Sequence, residues 1–519
     1  RVPQQPFWQH DRLLIRQRYS LSIQIEYCSK KIRSTTGIKP GTPGWLSGIV
    51  SHSTCSEGED NSDSPTAADS AYKPDTTKLE KNDIYYAIGR QSGALKRKHQ
   101  PSLMRTIDEL RRVPQVSLGD RCYLGCHLIP NRRRPENTIK YRDKAYCGTF
   151  EKEGNLFITT AQDCIVRIYD TSADRPVWMK SIHATEVGWS ILDTSVSPDG
   201  SFFVYSSWCE NLHLCRIEGQ SEESIPLELE PLDNRFCVFS LKFSANGEEI
   251  LCGASDTSLY VYSLTAQKRT LQIPAHEDEV NAVCFADGSS HIIFTGGDDG
   301  LVKVWDRRVL NEAHARPVGV FAGHRNGVTF IDSKGDGRYL ISNSKDQSIK
   351  LWDIRHFATA EGIEATHKAV AGQRWDYRWQ PVPLSQRAIN QALLPGDVSV
   401  MTYRSHSVLQ TLIRCRFSPT FTTGQRFIYT GCASGRVHIY DVLTGEPKQV
   451  LAGHRACVRD VSWHPHAPIM MSTSFDGTVK EWVYRSEKPQ QYEDFDPDED
   501  VSLEVRRSRT RRRLRLSSD

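Results

Sequence analysis

The chain has 519 residues, of which 38% are hydrophobic and 25% charged, and its formal net charge is +3 at pH 7. This composition is ordinary for a soluble globular protein, and a charge so near neutrality gives no reason to expect nucleic-acid binding by the protein as a whole. No apolar run approaches the length of a membrane span, and the first residues lack the pattern of a secretory signal.

The N-terminal part divides into two segments of different composition. Residues 1–70 are rich in Ser, Gly, Pro and Thr and include an acidic stretch at residues 57–63. Such a segment cannot bury enough apolar surface to order itself, which predicts disorder. Residues 71–115 instead place Ile84, Ile88 and other apolar residues among basic clusters. This pattern predicts a basic helical segment that lies against the rest of the protein or against a partner.

A repeat recurs seven times between residues 116 and 485, and its clearest copies share four polar or aromatic positions. In these copies a Ser or Thr lies four residues before an Asp, and the Asp lies six residues before a Trp. A His precedes these three residues in each clear copy. The three sets of four are His276, Thr295, Asp299 and Trp305; His324, Ser342, Asp346 and Trp352; and His454, Ser472, Asp476 and Trp482. When buried, these groups satisfy one another's hydrogen bonds, so we assign them a structural role rather than a catalytic or metal-binding one.

This spacing resembles that of WD-repeat β-propellers, which implies four-stranded blades around a central channel. The other four copies are degenerate: three have Tyr169, Tyr262 and Tyr440 in the place of the Trp, and the second keeps only a turn signature and apolar alternation. The sequence therefore predicts an all-β fold, a seven-bladed WD-repeat β-propeller, with a disordered or partly helical N-terminal extension and a disordered C-terminal one. A strand within residues 121–129 is expected to close the ring, since closure removes exposed sheet edges.

Two segments interrupt or follow the repeats. An insertion at residues 356–405 separates the fifth and sixth copies, which we take as blades 5 and 6. It contains Arg374, Trp375 and Trp379, residue types favoured in interface cores, although we favour packing under the propeller. Residues 486–519 are acidic and then rich in arginine. They are predicted to form a disordered tail, with a nuclear-import signal or a polyanion contact as the alternative.

The sequence contains no pattern typical of an enzyme. Its 14 cysteines include many that fall singly on predicted strands, as expected of small buried residues in a reducing compartment. No Cys or His pair has zinc-finger spacing, and no glycine loop has the form that binds phosphate. We therefore expect a non-catalytic protein without a metal or cofactor.

Two consecutive repeats end alike, in Trp305-Asp306-Arg307-Arg308 and Trp352-Asp353-Ile354-Arg355. An arginine falls at this position by chance in about one blade in ten, so two successive blades would share it by accident about 1% of the time. Each string ends a run of alternating apolar residues typical of a strand. Arg308 and Arg355 should therefore leave the sheets at equivalent points, which predicts a docking surface.

Paired endings of this kind resemble those of the DDB1- and CUL4-associated factor family, the substrate receptors of cullin-4 RING ubiquitin ligases. Longer strings, at residues 342–347, 374–379 and 456–465, are similar to those of its eleventh member over residues 72–485. The resemblance implies that Arg308 and Arg355 bind the DDB1 adaptor, each oriented by its own aspartate, Asp306 or Asp353. Further partners would be the ligase core and a protein substrate, which for related proteins includes stress-response transcription factors.

The resemblance implies a non-catalytic receptor, in the nucleus and cytoplasm, that presents targets for ubiquitination and proteasomal degradation. The target would bind the opposite face, where positive and aromatic side chains favour an acidic segment. The side chains expected to rim the channel there are Trp208, Arg325, Lys345, Arg455 and Phe475. A non-catalytic scaffold in a chromatin or RNA assembly is the alternative, and capture of the adaptor would separate the two hypotheses. Neither requires a membrane or direct nucleic-acid binding.

Overall fold

The computed structural model describes residues 73–95, 118–131, 134–173, 175–219, 223–231, 235–383 and 392–485. The predictions for residues 1–70 and 486–519 lie outside these ranges. Within them, the strands form seven antiparallel sheets of four strands each. The predicted seven-bladed propeller is confirmed. No helix in the described ranges is both long and apolar enough to cross a membrane.

Blades 1 to 6 pair their strands in chain order, blade 7 takes its outer strand from the start of the propeller, and the first strands of neighbouring blades contact one another around the channel. The short β1 (Thr138–Lys140) precedes the blades. Blade 1 comprises β2 (Ala145–Phe150), β3 (Leu156–Ala161), β4 (Ile165–Asp170) and β5 (Val177–His183). Blade 2 comprises β6 (Asp193–Val196), β7 (Phe202–Ser206), β8 (Asn211–Arg216) and β9 (Ser224–Glu228). Blade 3 comprises β10 (Val238–Phe243), β11 (Glu249–Ala254), β12 (Ser258–Ser263) and β13 (Lys268–Pro274). Blade 4 comprises β14 (Val280–Phe285), β15 (Ile292–Gly297), β16 (Val302–Asp306) and β17 (Gly319–Phe321). Blade 5 comprises β18 (Val328–Ser333), β19 (Tyr339–Ser344), β20 (Ser348–Asp353) and β21 (Met401–Tyr403). Blade 6 comprises β22 (Cys415–Phe417), β23 (Phe427–Gly431), β24 (Arg436–Asp441) and β25 (Pro447–Ala452). Blade 7 comprises β26 (Val458–Trp463), β27 (Ile469–Ser474), β28 (Thr478–Val483) and β1.

The two faces of the propeller carry different loops. We call the face where third strands turn toward fourth strands the lower face; it includes the turns at Arg308 and Arg355. The upper face is the opposite one, which carries the loops with His276, His324 and His454. The described helices are α1 (Thr77–Glu80), α2 (Asp83–Gln91), α3 (Leu118–Gly125), α4 (Ala360–Ala371) and α5 (Thr420–Thr423), with a 3-10 turn at Glu312–His314.

Helices α1 and α2 pack on the lower face under blades 5 and 6. The side chain of Asn82 accepts a hydrogen bond from the main-chain N–H of Ile84 at 3.2 Å, which caps α2. Leu79, Ile84 and Ile88 are fully buried in one apolar core with residues of both blades. Burial of this apolar face, rather than helix propensity, holds such short helices in place.

Strand β1 closes the ring by pairing with β28, with Ile139 opposite Val479. The prediction of a closing strand within residues 121–129 is therefore wrong. Most of that stretch belongs to α3, and the residues that follow it, Cys126 and Ile129, are buried in the core of blades 6 and 7. The apolar residues that suggested a strand instead pack against the propeller.

A buried ionic cluster joins first strands across the channel. The guanidinium of Arg414, next to blade 6, lies 2.6 Å from Asp193 of blade 2 and 2.9 Å from Asp460 of blade 7. The guanidinium of Arg459 donates a hydrogen bond to the carbonyl oxygen of Leu192 at 2.7 Å. Because all these side chains are buried, the cluster links blades that are not neighbours in the ring.

The insertion lies within blade 5, between β20 and β21, and crosses from the lower face to the upper one. Its predicted position between blades 5 and 6 is wrong, because Met401–Tyr403 form the outer strand of blade 5. Beside α4, the hydroxyl of Thr366 accepts a hydrogen bond from the N–H of Gly323 at 3.1 Å. Farther on, the ring of Tyr377 lies over Lys345, with Nζ 4.3 Å from the ring centroid. The insertion therefore covers part of the upper face, and the prediction that it packs under the propeller is wrong.

The two faces as candidate functional sites

Three buried clusters hold the turns of the upper face. In blade 4, His276 bonds Asp299 through Nδ1 (2.9 Å) and Thr295 through Nε2 (2.8 Å), and Trp305 Nε1 donates to Thr295 Oγ1 at 2.9 Å. The same bonds, at 2.7 to 3.1 Å, join His324, Asp346, Ser342 and Trp352, and His454, Asp476, Ser472 and Trp482. These side chains satisfy one another and thereby hold the third strands of blades 4, 5 and 7. The paired arginines follow the far ends of two of these strands, β16 and β20.

Arg308 follows β16 in a turn on the lower face. Its guanidinium donates to both oxygens of Asp306, from Nε to Oδ1 at 2.9 Å and from Nη2 to Oδ2 at 2.6 Å. These bonds lower the pKa of Asp306 to about 2. The Arg308 side chain nevertheless remains 64% exposed. It stands in solvent with its direction set by a surface pair of the kind that contributes little to stability.

Arg355 occupies the equivalent position after β20 and its side chain is 62% exposed. Only its main-chain N–H bonds Asp353, at 3.1 Å. The buried Asp353 carboxylate instead accepts bonds from Arg338 Nε (3.0 Å) and Nη2 (2.7 Å). The expectation that Asp353 orients the Arg355 guanidinium is therefore wrong, and Asp353 is too buried to touch a partner.

The N-terminus of α2 completes this turn of blade 5. The amide of Asn82 donates to Asp353 at 3.1 Å, and Asp83 lies 2.8 Å from Arg338 and 3.4 Å from Arg355. Sequence analysis missed Asn82, Asp83 and Arg338. A signal for Arg338 did exist, since Arg426 and Asp441 of blade 6 pair at the same spacing of 15 residues.

Arg307, adjacent to Arg308, turns toward blade 3. Its guanidinium bonds both carboxylate oxygens of Glu249 in blade 3, at 2.6 and 2.8 Å. Of this Arg-Arg pair, the second arginine is therefore the more exposed, with 64% of its side chain accessible against 22% for Arg307.

The insertion changes the part of the upper face nearest blade 5. Lys345 is only 6% exposed and lies 2.6 Å from Asp298, beneath Tyr377. The expectation that Lys345 is a free positive charge at the channel rim is therefore wrong, because the insertion closes over it. Arg325 is half-buried and donates to the carbonyl oxygen of Ala392, which ties it to the returning chain of the insertion.

Blades 7, 1 and 2 place aromatic side chains near the channel, of which Trp189 is 42% exposed and Tyr146 is buried. The ring of Phe475 lies 5.0 Å from that of Tyr146, which lies 5.6 Å from that of Trp189. We call these three residues the aromatic patch. The exposed Lys144 has its Nζ 5.3 Å from the Phe475 centroid, and the exposed Arg455 follows His454 in the same blade as Phe475.

Trp208 lies beside the aromatic patch. It is half-buried, and the main-chain N–H of Gly188, which precedes Trp189, donates to Ser207, which precedes Trp208. Of the five side chains expected at the rim, Phe475, Arg455 and Trp208 therefore belong to the blade 7 to blade 2 side. Arg325 and Lys345 belong to the insertion side.

Comparison with known proteins places the chain in a family. The family model of the WD domain, G-beta repeat, matches residues 267–306, 315–353 and 445–482. The chain is 40% identical over 390 residues to a DDB1- and CUL4-associated factor 11 homolog of Caenorhabditis briggsae, covering 72% of this chain and 69% of that protein. The chain belongs to the DDB1- and CUL4-associated factor 11 family.

Two other relatives match to a similar extent. The homolog of Caenorhabditis elegans is 43% identical over 375 residues, covering 70% of this chain; the chain spans 64% of that relative's length. The LEC14B protein of Lithospermum erythrorhizon is 44% identical over 375 residues, covering 69% of this chain and 77% of the relative. The three matched WD repeats are those that contain the complete His, Ser or Thr, Asp and Trp clusters.

Two buried histidines make the stability of this family member depend on pH. Burial lowers the pKa of His406 to about 3 and that of His438 to about 4, whereas histidine in an unfolded chain titrates near 6.5. Between about pH 4 and 6.5 the unfolded chain therefore binds more protons than the folded one, so stability falls as the pH falls. We expect a loss of up to about 1.4 kcal/mol per pH unit for each histidine.

Urea denaturation between pH 7 and pH 4 measures this dependence. The His438→Asn variant should show a shallower decline of the unfolding free energy with acidification than the wild type. The control, His291→Asn, replaces an exposed histidine of blade 4 and should keep the wild-type slope. Equal slopes for His438→Asn and the wild type would contradict the prediction.

Proposed function

We propose that this chain is the non-catalytic substrate receptor of a cullin-4 RING ubiquitin ligase and binds the DDB1 adaptor through Arg308 and Arg355. One observation carries the proposal: the two arginines stand exposed at equivalent ends of neighbouring blades. Relatives whose names describe association with DDB1 and CUL4 support it.

The chemistry of the two arginines suits a docking contact. A guanidinium forms two parallel hydrogen bonds with a carboxylate or with main-chain carbonyl oxygens, and it is less strongly hydrated than an ammonium group. Bonds to Asp306 already restrict the Arg308 side chain, which reduces the entropy lost on binding. On blade 5, Asp83 lies beside Arg355 and has a similar effect at longer range.

The two faces would then have separate roles. The lower face holds the adaptor, and the upper face holds the target. A ubiquitin-loaded enzyme elsewhere in the complex modifies the target. The receptor supplies no reacting group; it raises the local concentration of the target, since tethering makes transfer effectively intramolecular.

Co-elution of the purified full chain with the purified adaptor on size exclusion tests the docking proposal. The two proteins should elute together, and higher salt should weaken the complex because charged side chains carry the contact. A chain that is folded by circular dichroism but elutes separately from the adaptor contradicts the proposal.

We further propose that targets bind the aromatic patch through an acidic segment. Lys144 and Arg455 are exposed beside Phe475, whose ring packs on buried apolar residues of blades 6 and 7. Positive charge around an apolar floor favours a segment that carries both carboxylates and an apolar anchor. Lys345 has no such role, because Asp298 already neutralises it.

Reversing the two exposed charges should reduce target capture. We expect Lys144→Glu with Arg455→Glu to lower capture at least tenfold, about 1.4 kcal/mol, because like charges then oppose an acidic segment. Proximity labelling under proteasome inhibition measures the captured proteins. The control, Lys268→Glu with Lys448→Glu, places the same charges on exposed outer strands. Adaptor binding should persist in both variants. Unchanged target capture by the Lys144→Glu/Arg455→Glu variant would contradict the proposal that targets bind the aromatic patch.

A further inference from the structure

The outer strands of the propeller protect their free edges in different ways. Among the described residues, three of these strands, β1, β17 and β21, are only three residues long. Strand β9 contains Pro226, and β25 begins with Pro447 and Lys448. Strand β13 begins with two basic residues, and the N–H of its Gln272 donates to Glu312 at 2.8 Å. Short length, proline, charge and capping all discourage pairing with another strand.

Strand β5 of blade 1 has fewer of these protections: one basic residue, Lys180, and an irregularity in its pairing with β4. It is seven residues long and contains no proline. Its first three residues, Val177, Trp178 and Met179, are large, apolar and 54%, 59% and 51% exposed. One edge pairs with β4, and no described strand pairs with the other. A long apolar edge of this kind is a template for one more strand.

The chain itself contains a segment suited to this edge. Residues 19–27 alternate strictly, with Tyr, Leu, Ile, Ile and Tyr at the odd positions and Ser, Ser, Gln and Glu at the even ones. This period of two, with residues that favour strands, is typical of a strand with one apolar face. The composition of residues 1–70 predicts no independent fold, but a single strand needs only an existing edge.

The connecting chain is long enough for this contact. About 45 residues separate residue 27 from Lys73. They could extend to roughly 150 Å and, as a flexible coil, would span about 40 Å. Each blade of four strands is about 20 Å deep, so the outer edge of blade 1 and blades 5 and 6 across the ring are on the order of 40 Å apart, within reach of the connection. Tethering would also give the segment an effective concentration on the order of millimolar.

We propose that residues 19–27 add to β5 as a fifth strand of blade 1 and cover its exposed edge. Main-chain hydrogen bonds would hold the added strand. Its apolar face would cover the apolar side chains on one face of β5, since successive strand residues point to opposite faces. The charges are compatible, since Glu26 is the only charged residue of the segment and Arg175 and Lys180 lie at or next to β5. The proposal does not depend on the adaptor-docking function.

Hydrogen exchange of the full chain, followed by mass spectrometry, tests the proposal. In the wild type, the amides of residues 177–183 should exchange slowly. In Ile23→Asp with Ile25→Asp they should exchange at least about tenfold faster, because the segment can no longer bury its apolar face. The control, Ser22→Asp with Gln24→Asp, places the same charges on the opposite face and should keep the protection.

Rescue by a synthetic peptide and the effect of dilution complete the test. A synthetic peptide of residues 19–27, added to the Ile23→Asp/Ile25→Asp variant, should restore the protection of residues 177–183 and leave β13 unchanged. Equal exchange in the wild type and this variant overturns the proposal. Protection that disappears on dilution overturns it in favour of pairing between the β5 edges of two copies of the chain.

Discussion

Replacing Arg308 and Arg355 together with alanine is expected to abolish adaptor binding while the propeller stays folded. Both side chains are more than half exposed, so their loss should change the free energy of unfolding by only about 0.5 kcal/mol. In the complex each would become a desolvated anchor, whose truncation commonly costs on the order of 2 kcal/mol. If the two effects are roughly additive, the affinity for the adaptor falls about a thousandfold.

Titration of the purified adaptor, beside a thermal melt, measures both parts of this expectation. Arg307→Ala is the matched control, because Arg307 lies in the same turn but bonds Glu249 rather than projecting into solvent. It should keep full adaptor affinity. If the double variant melts like the wild type and still binds the adaptor with wild-type affinity, Arg308 and Arg355 are not the docking residues.

Replacing Arg414 with methionine is expected to lower the free energy of unfolding more than any other substitution proposed for this chain. Arg414 is 4% exposed and neutralises both Asp193 and Asp460 at 2.6 and 2.9 Å. Methionine preserves much of its volume but leaves the buried Asp193 carboxylate without the guanidinium that contacts it, whereas Asp460 keeps Arg416 at 3.1 Å. Removing one partner of a buried ion pair typically costs about 3–5 kcal/mol. The loss should appear as a lower midpoint in urea denaturation.

A surface lysine provides the control for this substitution. Lys368 pairs with Glu364 at 2.7 Å on α4, but both side chains are largely exposed. Lys368→Met should therefore change the unfolding free energy by less than about 0.5 kcal/mol. Adding Asp193→Asn to Arg414→Met should recover part of the loss by removing one stranded charge. Equal midpoints for Arg414→Met and Lys368→Met would show that the channel cluster contributes little to stability.

The sequence alone determined the features that follow from local spacing. The intervals between His, Ser or Thr, Asp and Trp predicted the blade turns because they join residues of adjoining strands within one blade. Strand alternation placed Arg308 and Arg355 just after the third strands of neighbouring blades. Exposure at these positions follows from the turn itself, since a residue that leaves a sheet edge is no longer covered by its neighbours.

Only the tertiary structure decided the features that depend on distant contacts. Asp353 is oriented by Asn82, 271 residues away, and no spacing within a repeat predicts this contact. Lys345 is buried because the insertion folds back over the upper face. Strand β1, rather than residues 118–129, closes the ring because the latter pack on an apolar surface below blades 6 and 7. Such contacts depend on which surfaces remain uncovered after the blades have formed. Periodicity within a repeat therefore predicts the blades but not what packs against them.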